Sequence, residues 1–189
     1  PWIISDAVTS WNWPEYEEKP VIVEVYSAGD EVELFCNGES LGKQAAGKAA
    51  GYRALFETLY KPGDLVAVSY KKGIETGRTE LKSAGEKRSL NIDVENGKNN
   101  ELVYLEISIN DSDGVLAADE SGILNIEVSG GMTLIGFGSG DPKPDFNYTE
   151  SLTKLFYGRA IAVLKTNGSN EKTHINLEYS SGLKYSLEI

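Results

Sequence analysis

Four aromatic side chains are the best placed in this sequence to meet a ligand. Trp11, Trp13 and Tyr16 fall in the stretch Trp11-Asn12-Trp13-Pro14-Glu15-Tyr16-Glu17-Glu18, and Tyr148 lies far downstream. Flat apolar rings suit the C–H face of a sugar, and the neighbouring Asn12, Glu15, Glu17 and Glu18 suit its hydroxyls. The same composition also describes rings packed beneath a connecting segment, because large aromatics contribute heavily to cores and interfaces. The residues alone leave both readings open.

Metal chemistry has one candidate locus. Asp111 and Asp113, in Asp111-Ser112-Asp113-Gly114 with Asp119-Glu120 just beyond, offer hard oxygen ligands of the kind calcium takes. The spacing falls short of a full calcium loop, and Asp-Gly is also a routine turn. Asp141, Asp145 and Asn147 are a second acidic group that could contact an ion or a polyol. His174 is the only histidine, and alternation in Thr173-His174-Ile175-Asn176-Leu177 points it toward water. Gly136-x-Gly138-x-Gly140 lacks the following helix and the lysine of a phosphate-binding loop, so it reads as a turn. Arg159 is expected to pair with Asp141 or Asp145. No cofactor is implied.

The elements that must position these residues are strands. In Val21-Ile22-Val23-Glu24-Val25-Tyr26 every odd position is valine, and in Glu31-Val32-Glu33-Leu34-Phe35-Cys36 the even positions are apolar. A two-residue period puts one set on the core face of a sheet. Asn37-Gly38 predicts a hairpin turn, since both residues tolerate positive φ. Further strands are expected over 52–58, 64–70 and 76–82, and no segment sustains helical periodicity over three turns. Small and polar residues at Ser83-Ala84-Gly85-Glu86-Lys87 suggest a linker. Beyond it the pattern predicts seven strands, over 89–94, 102–109, 123–129, 133–137, 159–165, 173–179 and 183–189, with 138–155 as a long irregular loop. The expected fold is all-β: two consecutive immunoglobulin-like β-sandwich domains, residues 1–83 and 84–189.

Composition narrows the function classes. The chain has 189 residues and a net charge of −11, and both halves are acidic. Without a Lys/Arg stripe, nucleic acid is not an expected partner. No apolar run approaches the roughly 20 residues of a bilayer crossing, so membrane insertion is not expected either. Cys36 is the single cysteine, which rules out an intrachain disulfide. With Pro1 in place of Met at its start, the chain reads as an excised or processed piece of a longer protein.

Several strings resemble the C-terminal modules of family 2 glycoside hydrolases. Ser10-Trp11-Asn12-Trp13-Pro14 and Lys19-Pro20-Val21 resemble the start of the sandwich that follows the catalytic barrel. The run Glu31-Val32-Glu33-Leu34-Phe35-Cys36-Asn37-Gly38-Glu39-Ser40-Leu41-Gly42 resembles the family's VELFLNG-x-SLG, with Cys36 where leucine is usual. Gly136-Phe137-Gly138-Ser139-Gly140-Asp141-Pro142 is similar to G-x-G-N-G-D-P, with Ser139 for asparagine, and Leu155-Phe156-Tyr157-Gly158-Arg159-Ala160 to LF-x-GRA.

The resemblance implies two accessory sandwiches from a bacterial enzyme acting on β-galactosides or related glycosides. A retaining glycosidase needs two carboxyl groups about 5–5.5 Å apart. In the family both belong to the upstream barrel, so no catalytic residue is carried over to this chain. The expected role is structural support of that barrel, the main partner, in an enzyme exported to the periplasm or beyond. In that setting the Trp11–Trp13 segment could border the catalytic pocket. Two other roles are weighed: a carbohydrate-binding module, with glycans as partner, and an adhesin-type spacer.

Overall fold

A computed structural model describes residues 5–97 and 101–189 of the chain. The described chain is built of antiparallel strands and two single turns of 3-10 helix, Pro14–Tyr16 and Lys48–Ala50. It divides into two compact units, Pro1–Ser83 and Ala84–Ile189.

The first unit holds β1 (Pro20–Tyr26), β2 (Glu31–Cys36), β3 (Glu39–Ala45), β4 (Arg53–Leu59), β5 (Asp64–Lys71) and β6 (Ile74–Lys82). β1 and β4 form a two-stranded ribbon; the others form a four-stranded sheet in the order β3-β2-β5-β6. The ribbon turns Val21, Val23, Val25, Ala54 and Phe56 inward to meet Val32, Leu34, Cys36 and Leu65 of the sheet. The alternating valines therefore do what their period predicts. Asn37 (φ 51°) and Gly38 (φ 82°) both adopt the left-handed region, as a tight two-residue hairpin turn demands. Asn37 adds a clamp: its Oδ1 accepts from Asp64 N–H at 2.8 Å and its Nδ2 donates to the Pro62 carbonyl at 3.0 Å.

The second unit holds β7 (Arg88–Asn96), β8 (Leu102–Asp111), β9 (Ile123–Ser129), β10 (Met132–Gly138), β11 (Leu152–Lys154), β12 (Arg159–Thr166), β13 (His174–Tyr179) and β14 (Lys184–Glu188). Two four-stranded sheets, β10-β12-β8-β7 and β11-β9-β13-β14, enclose one core. Leu105, Ile107, Ile109 and Leu164 come from the first sheet, and Leu124, Ile126, Ile175 and Leu177 from the second, all virtually inaccessible to solvent. Burying one such side chain contributes about 1.5–3 kcal/mol relative to leaving it exposed.

Two strands lie where the sequence pattern does not mark them in full. β3 extends well beyond its Ser40-Leu41-Gly42 centre, and every one of its residues is exposed, so no alternation betrays it. β11 sits inside the stretch expected to be a loop. Its three residues pair with β9 through Leu152↔Asn125, Thr153↔Leu124 and Lys154↔Ile123, a span too short to show a period.

Candidate functional site

Trp11 is a core residue. Its ring is 4% exposed and lies 4.8 Å from the Tyr60 ring, and its indole N–H donates to the Lys61 carbonyl at 2.9 Å. The Tyr60 hydroxyl in turn accepts from Trp13 N–H at 3.1 Å and bonds Ser83 Oγ at 3.0 Å, while Ser83 Oγ also donates to the Trp11 carbonyl. This knot ties the opening segment to the β4–β5 turn and to the end of β6. No face of the Trp11 ring is left to stack on a sugar. Trp13 is half-buried, with its indole N–H directed to the Ser10 carbonyl. Tyr16 is exposed, and the Lys19 ammonium lies 5.0 Å from its ring centroid. Tyr148, in the second unit, is also exposed.

Asp111 is not available as an open metal ligand. Its Oδ2 accepts from Gly85 N–H at 2.7 Å, and its Oδ1 from Val115 at 2.8 Å and Asp113 at 2.9 Å. Three backbone donors thus spend the carboxylate on holding a loop, and the bond from Gly85 leads in lowering its pKa. Asp113 enters this arrangement through its backbone, with its side chain exposed. Among the described residues no three His, Cys, Asp or Glu side chains converge as a metal site. The acidic tetrapeptide is an Asx-type turn, whose composition mimics that of a calcium loop.

Three other expectations meet the structure directly. His174 faces solvent beside Glu188, 3.5 Å away. Arg159 makes no ion pair with Asp141 or Asp145 among the described residues. It begins β12 in a tight bridge to Phe156, with its side chain exposed. Gly136 and Gly138 belong to β10 rather than to a turn, and Gly138 has Tyr148 against it.

The surface that sequence reasoning missed is the outer face of the β1–β4 ribbon. Register pairs Pro20 with Leu59, Ile22 with Glu57, Glu24 with Leu55 and Tyr26 with Arg53. Ile22 is 66% exposed and Tyr26 63%, with Leu55 and Leu59 also open to solvent. At the centre Glu24 is fixed: it accepts from Tyr26 Oη at 2.7 Å and Ser5 Oγ at 3.0 Å, with Arg53 at 3.8 Å. The hydrogen bond from Tyr26 leads in lowering its pKa. A signal was present: Val-Ile-Val-Glu-Val-Tyr carries apolar residues on both faces, more than one buried face requires.

Nothing in these carboxylates suits proton donation. Glu24, Glu33 and Asp111 are all moved downward, Glu33 chiefly by a hydrogen bond from Ser40, whereas a glycosidase acid needs a raised pKa. Burial pushes the Cys36 thiol upward, away from thiolate chemistry.

Residues 90–185 match the family model described as glycoside hydrolase family 2 C-terminal domain 5. The chain belongs to this family. Residues 18–77 match a domain of unknown function, DUF4982. Among curated proteins, the β-galactosidase BoGH2A of Bacteroides ovatus is 25% identical over 181 residues, covering 92% of this chain and 21% of the relative. A family 2 glycosyl hydrolase from Bacteroides cellulosilyticus superposes with a TM-score of 0.88 at 30% identity, over 98% of this chain and 24% of that one. A β-glycosidase from Bacteroides vulgatus gives a TM-score of 0.76 at 27% identity, over 96% and 24%. The chain therefore spans a quarter or less of the length of these relatives. No helix among the described residues is long and apolar enough to cross a membrane.

Proposed function

We propose that this chain is a non-catalytic C-terminal region of a bacterial family 2 glycoside hydrolase of β-galactosidase type, and that it braces the catalytic barrel. The outer face of the β1–β4 ribbon carries this reading. Its exposed Ile22, Leu55 and Leu59, interrupted by Glu57 opposite Ile22 and followed by a fixed Glu24–Tyr26–Arg53 cluster toward one end of the ribbon, have the make-up of a protein interface: apolar residues with Tyr and Arg anchors. Isolated exposed apolar residues need no explanation, but several on one face beside a preset polar cluster do. The family match gives the adhesin-type spacer no support. Export of the intact enzyme accompanies the proposal, and cell fractionation of the source bacterium tests it.

The test uses the hydrolase that carries this chain. Replacing Ile22 and Leu55 together by Asp leaves the accessory fold intact and lowers the unfolding temperature of the barrel. The 189-residue chain alone releases no nitrophenol from nitrophenyl β-galactoside. Hydrolysis by the chain alone, or a barrel indifferent to the double substitution, overturns the reading.

A further inference from the structure

We infer that the outward face of the β10-β12-β8-β7 sheet binds a neutral pyranose ring in a shallow trough between Tyr148 and the bare backbone at Gly136. The inference is independent of the ribbon and of barrel bracing. It begins with the register. Gly138 pairs with Ile161 and Gly136 with Val163, while the neighbouring Phe137 and Ala162 point into the core. Antiparallel partners share a face, so both glycines look outward.

The two glycines are used differently. At Gly138 the missing side chain is replaced by the Tyr148 ring: a methyl there would sit 2.4 Å from its Cδ1 and 2.5 Å from its Cε1. Tyr148 is seated from its backbone as well, since its carbonyl accepts from Phe137 N–H at 2.7 Å. An aromatic ring 52% exposed is thus held in place on the sheet. At Gly136 nothing fills the gap, and a methyl would meet only Val163, at 3.8 Å. About 7 Å along the strand from the seated ring, the floor is bare backbone.

Wall and floor suit a pyranose. The tyrosine face offers contact to its C–H edge, and the missing side chain at Gly136 leaves room beside it. Hydroxyl partners lie alongside: Glu106 pairs in register with Ile161, and Ser108 with Arg159. Acceptor and donor are both supplied, and the two cations of this row, Arg159 and Lys165, stand at its opposite ends, about 20 Å apart along β12, so they do not converge to compensate the desolvation of a charged sugar.

Calorimetric titration of the 189-residue chain tests this, with β-1,4-galactotetraose, cellotetraose and mannotetraose as neutral probes and a hyaluronan tetrasaccharide as the charged one. At least one neutral probe binds. Tyr148→Ala and Gly136→Val each weaken it by about tenfold or more, whereas Tyr148→Phe and Tyr16→Ala leave it within about threefold. Gly136→Val is the variant that keeps the fold, because its Cβ meets Val163 only at ordinary contact distance and the position needs no positive φ. Absence of binding to every neutral probe at about 10 mM, binding of the charged probe alone, or affinity unchanged in both weakening variants overturns the inference.

Discussion

The Tyr179 hydroxyl donates to Glu120 Oε2 at 2.7 Å, and its oxygen accepts from Gly122 N–H at the same distance. The other oxygen of Glu120 lies 3.8 Å from Arg88 Nε, and Arg88 reaches Asp119 at 3.3 Å. One phenol at the end of β13 therefore fixes the β8–β9 connection, which is also engaged by the first residue of β7. The three segments are remote in sequence, and each supplies a group that would be costly to leave unpaired away from water.

Tyr179→Phe keeps the ring and deletes both bonds. The Gly122 N–H is then left without its acceptor and Glu120 without its phenol, a loss of about 1–3 kcal/mol in stability. Urea unfolding monitored by circular dichroism checks it. An unchanged midpoint would show that water takes over both roles.

The same phenol makes the protein alkali-sensitive. Burial first, and then the hydrogen bond to the Glu120 carboxylate, push its pKa from 10.0 up to about 12. Below pH 10 both folded and unfolded chains keep the proton; between about 10 and 12 the unfolded chain loses it first. The stability Tyr179 contributes is present below that window and falls as pH rises through it, by at most about 1.4 kcal/mol per pH unit. Absorbance at the phenolate band, compared with Tyr179→Phe, should show one late-titrating tyrosine missing from the variant.

Asp111 gives the opposite pH dependence. Its pKa lies below the ordinary 3.8, with the Gly85 N–H as the leading cause. The carboxylate contributes fully above that ordinary value, and the contribution disappears as pH falls through the lower folded-state pKa. Asp111→Ala removes the acceptor of three backbone N–H groups and destabilises most near neutral pH. The gap from wild type should narrow as pH is taken from about 6 toward 2. Denaturation midpoints at a series of pH values measure the gap; one independent of pH would rule out the ionised carboxylate as its source.

The elements were legible wherever burial is one-sided. The valines of β1, the apolar even positions of β2 and the Asn37-Gly38 turn each carry their geometry in local chemistry. β3 was only partly legible because it buries neither face, and β11 was hidden by its length. Asp111 was ambiguous for a chemical reason: a carboxylate that closes an Asx turn and one that ligates calcium have the same neighbours in sequence. Tyr179 with Glu120, 59 residues apart, and Tyr148 seated on Gly138 are products of sheet register, which no local pattern encodes. The ribbon face was written in the sequence as surplus hydrophobicity in β1, visible once the buried face had been counted.

The aromatic stretch that opened the functional question divides by burial. Trp11→Ala removes a large ring from a packed core and should cost about 3–5 kcal/mol. Trp11→Phe keeps most of the volume and loses the indole N–H bond to the Lys61 carbonyl, a cost of about 1–2 kcal/mol. Tyr16→Ala lies in the same stretch but on the surface, and should change stability by no more than about 0.5 kcal/mol. Thermal unfolding of the three variants checks this order. If Trp11→Ala proved as mild as Tyr16→Ala, the knot of Trp11, Tyr60 and Ser83 would not be holding the opening segment, and Trp11 would return as a candidate for ligand contact.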